Sequence, residues 1–354
     1  MTVTSIAAPV APTTDPVRVA VVGTGSLGKE HARIYAELAT AGLVRLCGVM
    51  DLRPELAGEV ASRWGVPVLA SVGEVIDVAE AVSVVTPTVT HFDLARQLLA
   101  AGCHVLVEKP MTQEAGQAAE LVELAQAQAR VLQVGHVERF NPVFKYLQTV
   151  ATDPQFIEVH RLSPYPARST DVGVVLDLMI HDLDIVLAFV QSSVVSVEGV
   201  GLPVLSRSED IANARLRFGN GCVANLTASR VSAERMRKIR VFSRGATASY
   251  VSLDYRAQAG YIYRLADDDA PQSSLLKKLL WAKDSTIVSQ FGGRKIVREP
   301  VPIRKEEPLR LELQHFIETV RARSVPLVSG ASAKAALDLA LEISRQIEER
   351  MRQG

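Results

Sequence analysis

Three groups of residues have the types and spacing to do chemistry. Gly23-Thr24-Gly25-Ser26-Leu27-Gly28 is a GxGxxG run, placed directly after the apolar stretch Val17–Val22 and before a stretch with helical spacing. The first glycine permits a tight turn, the second lets backbone approach a pyrophosphate, and the third lets helix and strand pack closely. Ser26 and Leu27 would open a helix whose free N–H groups face that pyrophosphate. About 20 residues further on, Asp51 ends a second apolar run, where a carboxylate accepts hydrogen bonds from an adenosine ribose. It would repel a 2′-phosphate, which favours NAD over NADP. Arg53, two residues later, is the side chain that would accommodate such a phosphate. The second group, Glu108-Lys109-Pro110, also follows an apolar run. A lysine there can donate to a substrate hydroxyl or move a proton, although the tripeptide alone reads as a surface turn. The third is Gly173, Asp177, His181 and Asp184. On a helix Asp177 and His181 share a face, and Asp184 lies near it. An imidazole beside a carboxylate is a general base near neutral pH. A metal site is the rival reading. Leu176, Leu178, Met179, Ile180, Leu183, Ile185 and Val186 surround these groups, so the helix is buried and its polar side chains are costly, which favours a function.

The elements needed to hold these groups follow from periodicity. Strands are expected at Val17–Val22, Leu43–Met50, Val66–Ala70, Ala81–Val85, His104–Val107 and Val131–Val134. Helices are expected at Ser26–Thr40, Pro54–Trp64, Thr90–Ala101 and Thr112–Ala129. Continuous apolar strands alternating with helices imply a parallel sheet covered on both faces, the doubly wound Rossmann arrangement, over residues 17–135. From residue 136 to 354 the rhythm changes. A strand at Phe156–Leu162 and a helix at Val174–Val190 precede strand-like runs near 194–204, 211–218, 222–229, 238–243 and 247–263. Asp267–Ser274 reads as a loop, and Leu309–Ala322 and Ala331–Met351 as closing helices. This half is expected to be a mainly antiparallel, open-sheet α+β domain for substrate binding and oligomerisation.

Composition excludes several classes. Lys+Arg and Asp+Glu are 39 each, so no basic excess suits a nucleic acid. No apolar run reaches the ~18 residues of a membrane helix. Residues 1–16 read as a disordered tail and not as a signal peptide. Cys47, Cys103 and Cys222 are far apart and odd in number, giving neither a zinc spacing nor a disulfide framework. A reducing, cytoplasmic setting and no bound metal are therefore expected.

The stretches VAVVGTGSLGKEH, VEKP and GVVLDLMIHDLDIV, in that order, resemble the glucose–fructose oxidoreductase/inositol dehydrogenase (Gfo/Idh/MocA) family over about residues 17–350. The resemblance implies that Lys109 contacts the reacting hydroxyl or carbonyl. It implies His181 as the acid/base, with Asp177 binding substrate or supporting it. Thr86, Pro87 and His91 resemble the loop lining the nicotinamide ribose, with Glu108 beside it. Val134–Pro142 is a narrower match, to members acting on nucleotide sugars. Arg139 and Asn141, at the end of the sixth strand, are expected to reach the substrate cleft, and Arg139, Arg161 and Arg168 to pair with a diphosphate, with His136 lining the site. The implied reaction is NAD-dependent oxidation of a UDP-linked N-acetylhexosamine at its 3-hydroxyl. Inositol or a free sugar as substrate, an NAD-recycling glycosidase and a redox-silent NAD-binding regulator remain open. The resemblance also implies a homodimer or homotetramer. On the sheet of the second half, Val223, Leu226, Val241 and Val251 are expected to contribute to an exposed apolar face.

Overall fold

A computed structural model describes residues 15–165, 172–244, 249–265, 286–291 and 294–353. Most of the tail 1–16, and the loop expected at Asp267–Ser274, lie outside the described residues. The chain divides into two compact units. One is the chain up to Gly135 together with Leu309–Ala331, and the other is His136–Pro308 together with Ser332–Gly354.

In the first unit, β1 (Val17–Val22), β2 (Val44–Met50), β3 (Ala81–Val84), β4 (His104–Glu108) and β5 (Leu132–Gly135) form a sheet in the order β2-β1-β3-β4-β5. Every pairing is parallel, so all five C-terminal ends lie on one edge. β3 and β4 are buried along their whole length, as central strands covered on both faces must be. The helices are α1 (Ser26–Thr40), α2 (Pro54–Trp64), α3 (Val72–Val78), α4 (His91–Ala100) and α5 (Ala115–Ala127). α2 has Pro54 in its first turn and ends at Gly65, which takes the left-handed conformation (φ 65°) of a helix stop.

Three expectations change here. Val66–Ala70 is not a strand. It makes one isolated parallel bridge, Val49 to Val68, because Pro67 inside the run has no N–H to give a ladder. α3 was not foreseen, although Ser71 caps it by accepting from the Glu74 N–H at 3.2 Å. The helix α8 (Pro308–Ala322), expected in the second domain, joins the core of the first unit. There Leu313, Phe316, Ile317 and Val320 pack in one cluster with Val19, Tyr35 and Leu38.

The second unit holds a sheet that, among the described residues, has nine strands. They are β6 (Pro154–Leu162), β7 (Val194–Leu202), β8 (Ile211–Phe218), β9 (Val223–Ser229), β10 (Met236–Ser243), β11 (Ser249–Asp254), β12 (Ala259–Leu265), β13 (Thr286–Phe291) and β14 (Arg294–Pro300). The order is β13-β14-β12-β11-β10-β6-β9-β8-β7, antiparallel except for β6 beside β9. The single run expected at 247–263 is a hairpin, β11 and β12, turned at 255–258. α6 (Pro142–Val150) and α7 (Ile180–Val190) pack on this sheet, and α9 (Gly330–Gln353) reaches β7 through Gln346, which accepts from the Gly199 N–H at 2.9 Å.

Strand alternation gives the sheet two different faces. Leu226, Val241 and Val251 are buried, against the expectation that they would help form an exposed face. The opposite face carries Val223, half-buried, and a row of rings across four neighbouring strands. Phe156 meets Phe242 at 5.8 Å, Phe242 stacks on Tyr250 at 4.7 Å, and Tyr250 stacks on Tyr263 at 5.0 Å.

Candidate active site

The GxGxxG run forms the turn from β1 into α1. Gly23 adopts φ 94°, and a β-carbon there would strike the Val85 carbonyl. A β-carbon on Gly28 would strike the Gly23 carbonyl, so the third glycine holds helix and turn together. Gly25 differs, since nothing lies within 4 Å of where its β-carbon would point. Gly25 is also the N-cap of α1, with no side-chain cap and no acidic residue in the first turn. Ser26 and Leu27 are exposed beside it. Open space over an uncapped helix N-terminus fits a pyrophosphate.

Gly23, Gly25, Asp51, Arg53, Thr86 and Pro87 line one cavity of about 730 Å³, within the size range of cofactor sites. Asp51 sits at the end of β2. Its carboxylate accepts from the Thr24 N–H at 2.7 Å, the Thr24 hydroxyl at 3.1 Å and the Arg53 N–H at 2.9 Å. Burial raises its pKa, but these donors and the Arg53 charge outweigh burial and hold the carboxyl below its usual value. Arg53 is 63% exposed at the rim, 3.5 Å from Asp51. A carboxylate acceptor for ribose hydroxyls beside the free N–H donors of a helix N-terminus fits the adenosine diphosphate half of NAD. Those residues would hold it.

Glu108 ends β4, and Lys109 follows on the same sheet edge but does not line the cavity. The Glu108 carboxylate lies 3.3 Å from Nε2 of the fully buried His31, and it presses on Gly135, where a β-carbon would come within 2.7 Å of it. His91, expected at the cofactor, opens α4 and is 1% exposed. Its ring nitrogens meet two backbone carbonyls, Pro110 at 2.9 Å and Thr86 at 2.8 Å. Burial lowers its pKa, against the two carbonyls and Glu108, which favour the cation.

In the second unit the expected helix at Val174–Val190 begins with a π turn, Val175–Met179, and continues as α7. π turns are frequent at functional sites. Asp177 and His181 are half-buried, and the His181 ring stands edge-on to that of the buried His136, 6.1 Å between centroids. Asp184, expected near the same face, instead pairs with Arg139 at 3.2 Å. Burial pushes the Asp184 carboxyl up to about 7, against the pull of Arg139.

The side chains assigned to the substrate and its diphosphate have internal partners. Arg161 is buried and grips Asp182 with two bonds of 2.8 Å, and it reaches Glu138 at 3.3 Å. Asn141 caps α6 by accepting from the Val143 N–H, and donates to Glu138 at 3.0 Å. Arg139 lies over Phe144 as well as on Asp184. Arg139 and Arg161 are thus buried cations paired with carboxylates, and Asn141 is a helix cap, so each is held by the fold, a placement compatible with the role expected of it. Arg168 lies outside the described residues. Sequence reasoning missed Glu138 and Asp182, the carboxylates that engage Arg161. The only signal was an acid close to a basic residue in each segment.

The family model for the NAD-binding Rossmann fold of the Gfo/Idh/MocA oxidoreductases matches residues 17–136, and the model for that family's C-terminal domain matches 151–249. The chain belongs to the Gfo/Idh/MocA family and is an NAD-dependent oxidoreductase. Among curated relatives, the UDP-N-acetylglucosamine 3-dehydrogenase of Acidithiobacillus ferrooxidans is 33% identical over 333 residues, which cover 94% of this chain and 97% of the relative. Its solved structure superposes on this chain with a TM-score of 0.82, covering 94% of this chain and 97% of the other. The scyllo-inositol 2-dehydrogenase (NAD(+)) of Bacillus subtilis is 25% identical over 95% of each chain.

Proposed function

We propose that the protein oxidises the 3-hydroxyl of UDP-N-acetylglucosamine to the 3-keto sugar with NAD. The observation that carries this reading is the 33% identity to the Acidithiobacillus enzyme along nearly the whole of both chains. The inositol dehydrogenase, at 25% over equal coverage, supports the second reading, a cyclic polyol as substrate.

In this reading Lys109 donates a hydrogen bond to the reacting hydroxyl and holds it in place. His181 takes the hydroxyl proton, and Asp177, four residues earlier, orients the imidazole or the sugar. When bound, NAD would supply the hydride acceptor for the carbon bearing that hydroxyl, so the sugar would lose one proton and one hydride. Asp51 and the Gly25 turn fix the dinucleotide. Arg168 is assigned to the diphosphate. A 3-keto sugar is the kind of product an aminotransferase consumes, which places the reaction ahead of an amino-sugar step in surface-glycan synthesis. Among the described residues no helix is long and apolar enough to cross a membrane, and the described cysteines are free thiols. These observations support a reaction in the reducing cytoplasm.

Incubation of UDP-N-acetylglucosamine with NAD, followed by mass spectrometry, tests the proposal. The expected product lacks two hydrogens, with NADH formed in equal amount. An inert nucleotide sugar, with inositol reducing NAD instead, would leave the polyol reading in its place.

A further inference from the structure

We infer that His91 is a positioning residue that ties the Thr86 wall of the cofactor cavity to the Pro110 carbonyl and so fixes the turn carrying Lys109. The inference deepens the proposed reaction and, in its activity arm, rests on it.

The turn after β4 is gripped on both sides of Lys109. At residue 110 the carbonyl meets His91 Nδ1 at 2.9 Å, and the other ring nitrogen meets the Thr86 carbonyl at 2.8 Å. At residue 108 the carboxylate lies against His31 and Gly135, and it also accepts from the Lys109 N–H at 3.3 Å. His91 joins Thr86 directly to this turn. Thr86 lines the cavity, so the wall that meets the cofactor and the backbone that carries Lys109 share one imidazole. The ring is 1% exposed, so water cannot replace either bond without opening the site. Two backbone carbonyls ask for two N–H donors. A neutral ring supplies one, so it satisfies one carbonyl fully and the other only when both nitrogens are protonated. With both ring nitrogens turned to backbone, His91 has no nitrogen directed at a ligand. Its contribution to catalysis runs through Lys109, whose placement must hold to a fraction of an ångström.

His91→Phe keeps the bulk and removes both bonds, and His91→Gln restores one donor. Three measurements are made on the full chain: steady-state kinetics with UDP-N-acetylglucosamine, NADH affinity by fluorescence, and amide hydrogen exchange. For His91→Phe, kcat should fall roughly 10–100-fold, the scale of a small misplacement, while NADH affinity by fluorescence stays within about threefold. Exchange should quicken at Lys109 and Met111 and not along β1 or β2. His91→Gln should recover part of both effects. The inference is overturned if exchange at Lys109 and Met111 is unchanged. Faster exchange throughout the first unit, or weakened NADH binding with kcat preserved, would overturn it equally. Wild-type protein inert toward UDP-N-acetylglucosamine would sink the substrate reading alone, because the exchange measurement still decides the role of His91.

Discussion

At Asp51 one carboxylate both closes the glycine turn and faces the cofactor cavity. Hydrogen bonds to a charged group are worth about 1.5–3 kcal/mol each. Asp51→Ser should therefore weaken NADH binding by roughly 10–100-fold and shrink its advantage over NADPH. Fluorescence titration of both nucleotides measures this, and a wild-type preference for NADPH would transfer the role to Arg53. Lys109→Ala and His181→Ala should each lower kcat by ~10²–10⁴ with NADH affinity retained. If His181→Ala stays active while a chelator stops turnover, the metal reading replaces the acid/base one. Asp184 predicts a pH effect on stability. Its folded pKa of about 7 is above the unfolded carboxylate value, so the folded state holds the proton more tightly. The contribution is whole below about pH 4, is lost as pH rises toward 7 and is flat beyond. Urea midpoints should show wild type losing ground to Asp184→Asn across that window, and parallel curves would refute the assignment. These residue types were legible in sequence where a motif fixed their backbone, as at Asp51. They were not where the decisive partner came from a distant segment, as Asp182 does for Arg161.

At the scale of elements, the π turn Val175–Met179 is locked from the loop before β8. Glu209 accepts from the Val175 N–H at 3.3 Å, and its carboxylate occupies the space a β-carbon on Gly173 would need. Arg230, fully buried, ties the same region by donating to Asp210 at 2.8 Å and to the Val172 carbonyl at 2.7 Å. Gly173→Ala should cost about 1–3 kcal/mol by overpacking and lower kcat with it, read from urea denaturation and steady-state assay. Adding Glu209→Ala should return part of the stability, since it empties the contested space. No recovery would show that contact with Glu209 is not the source of the loss. Sequence located α1 and α2 to the residue, because a glycine turn and Pro54 with Gly65 punctuate them. It failed at Val66–Ala70, where Pro67 outweighs the apolar pattern. It also missed the π turn, whose register depends on Glu209 and leaves no mark in the local spacing.

For the whole molecule, the ring row Phe156, Phe242, Tyr250 and Tyr263 on the open face of the sheet is the surface we propose for a homodimer. Phe242 is 38% exposed and Tyr261, 41% exposed, lies nearby under Arg298. Aromatic and arginine side chains of this kind are enriched in subunit interfaces. Light scattering at micromolar concentration should give at least twice the 38.3 kDa chain mass, and Phe242→Asp should shift it toward the monomer. A monomeric wild type would refute the proposal. That the second half contains a sheet was legible from turn and strand signals. Which face stays open was not, because alternating strands place apolar side chains on either side until register is known.

The return of α8 to the first unit makes that unit discontinuous along the chain, and this has a consequence for birth on the ribosome. Phe316 and Leu313 complete the core around Tyr35 and Leu38, yet they are translated after the whole of 136–308. At roughly 5–20 residues per second the delay is on the order of ten to thirty seconds. Throughout it the nascent nucleotide-binding half waits with an unfinished apolar flank. An isolated fragment ending at Gly135 should therefore bind chaperones and unfold without cooperativity.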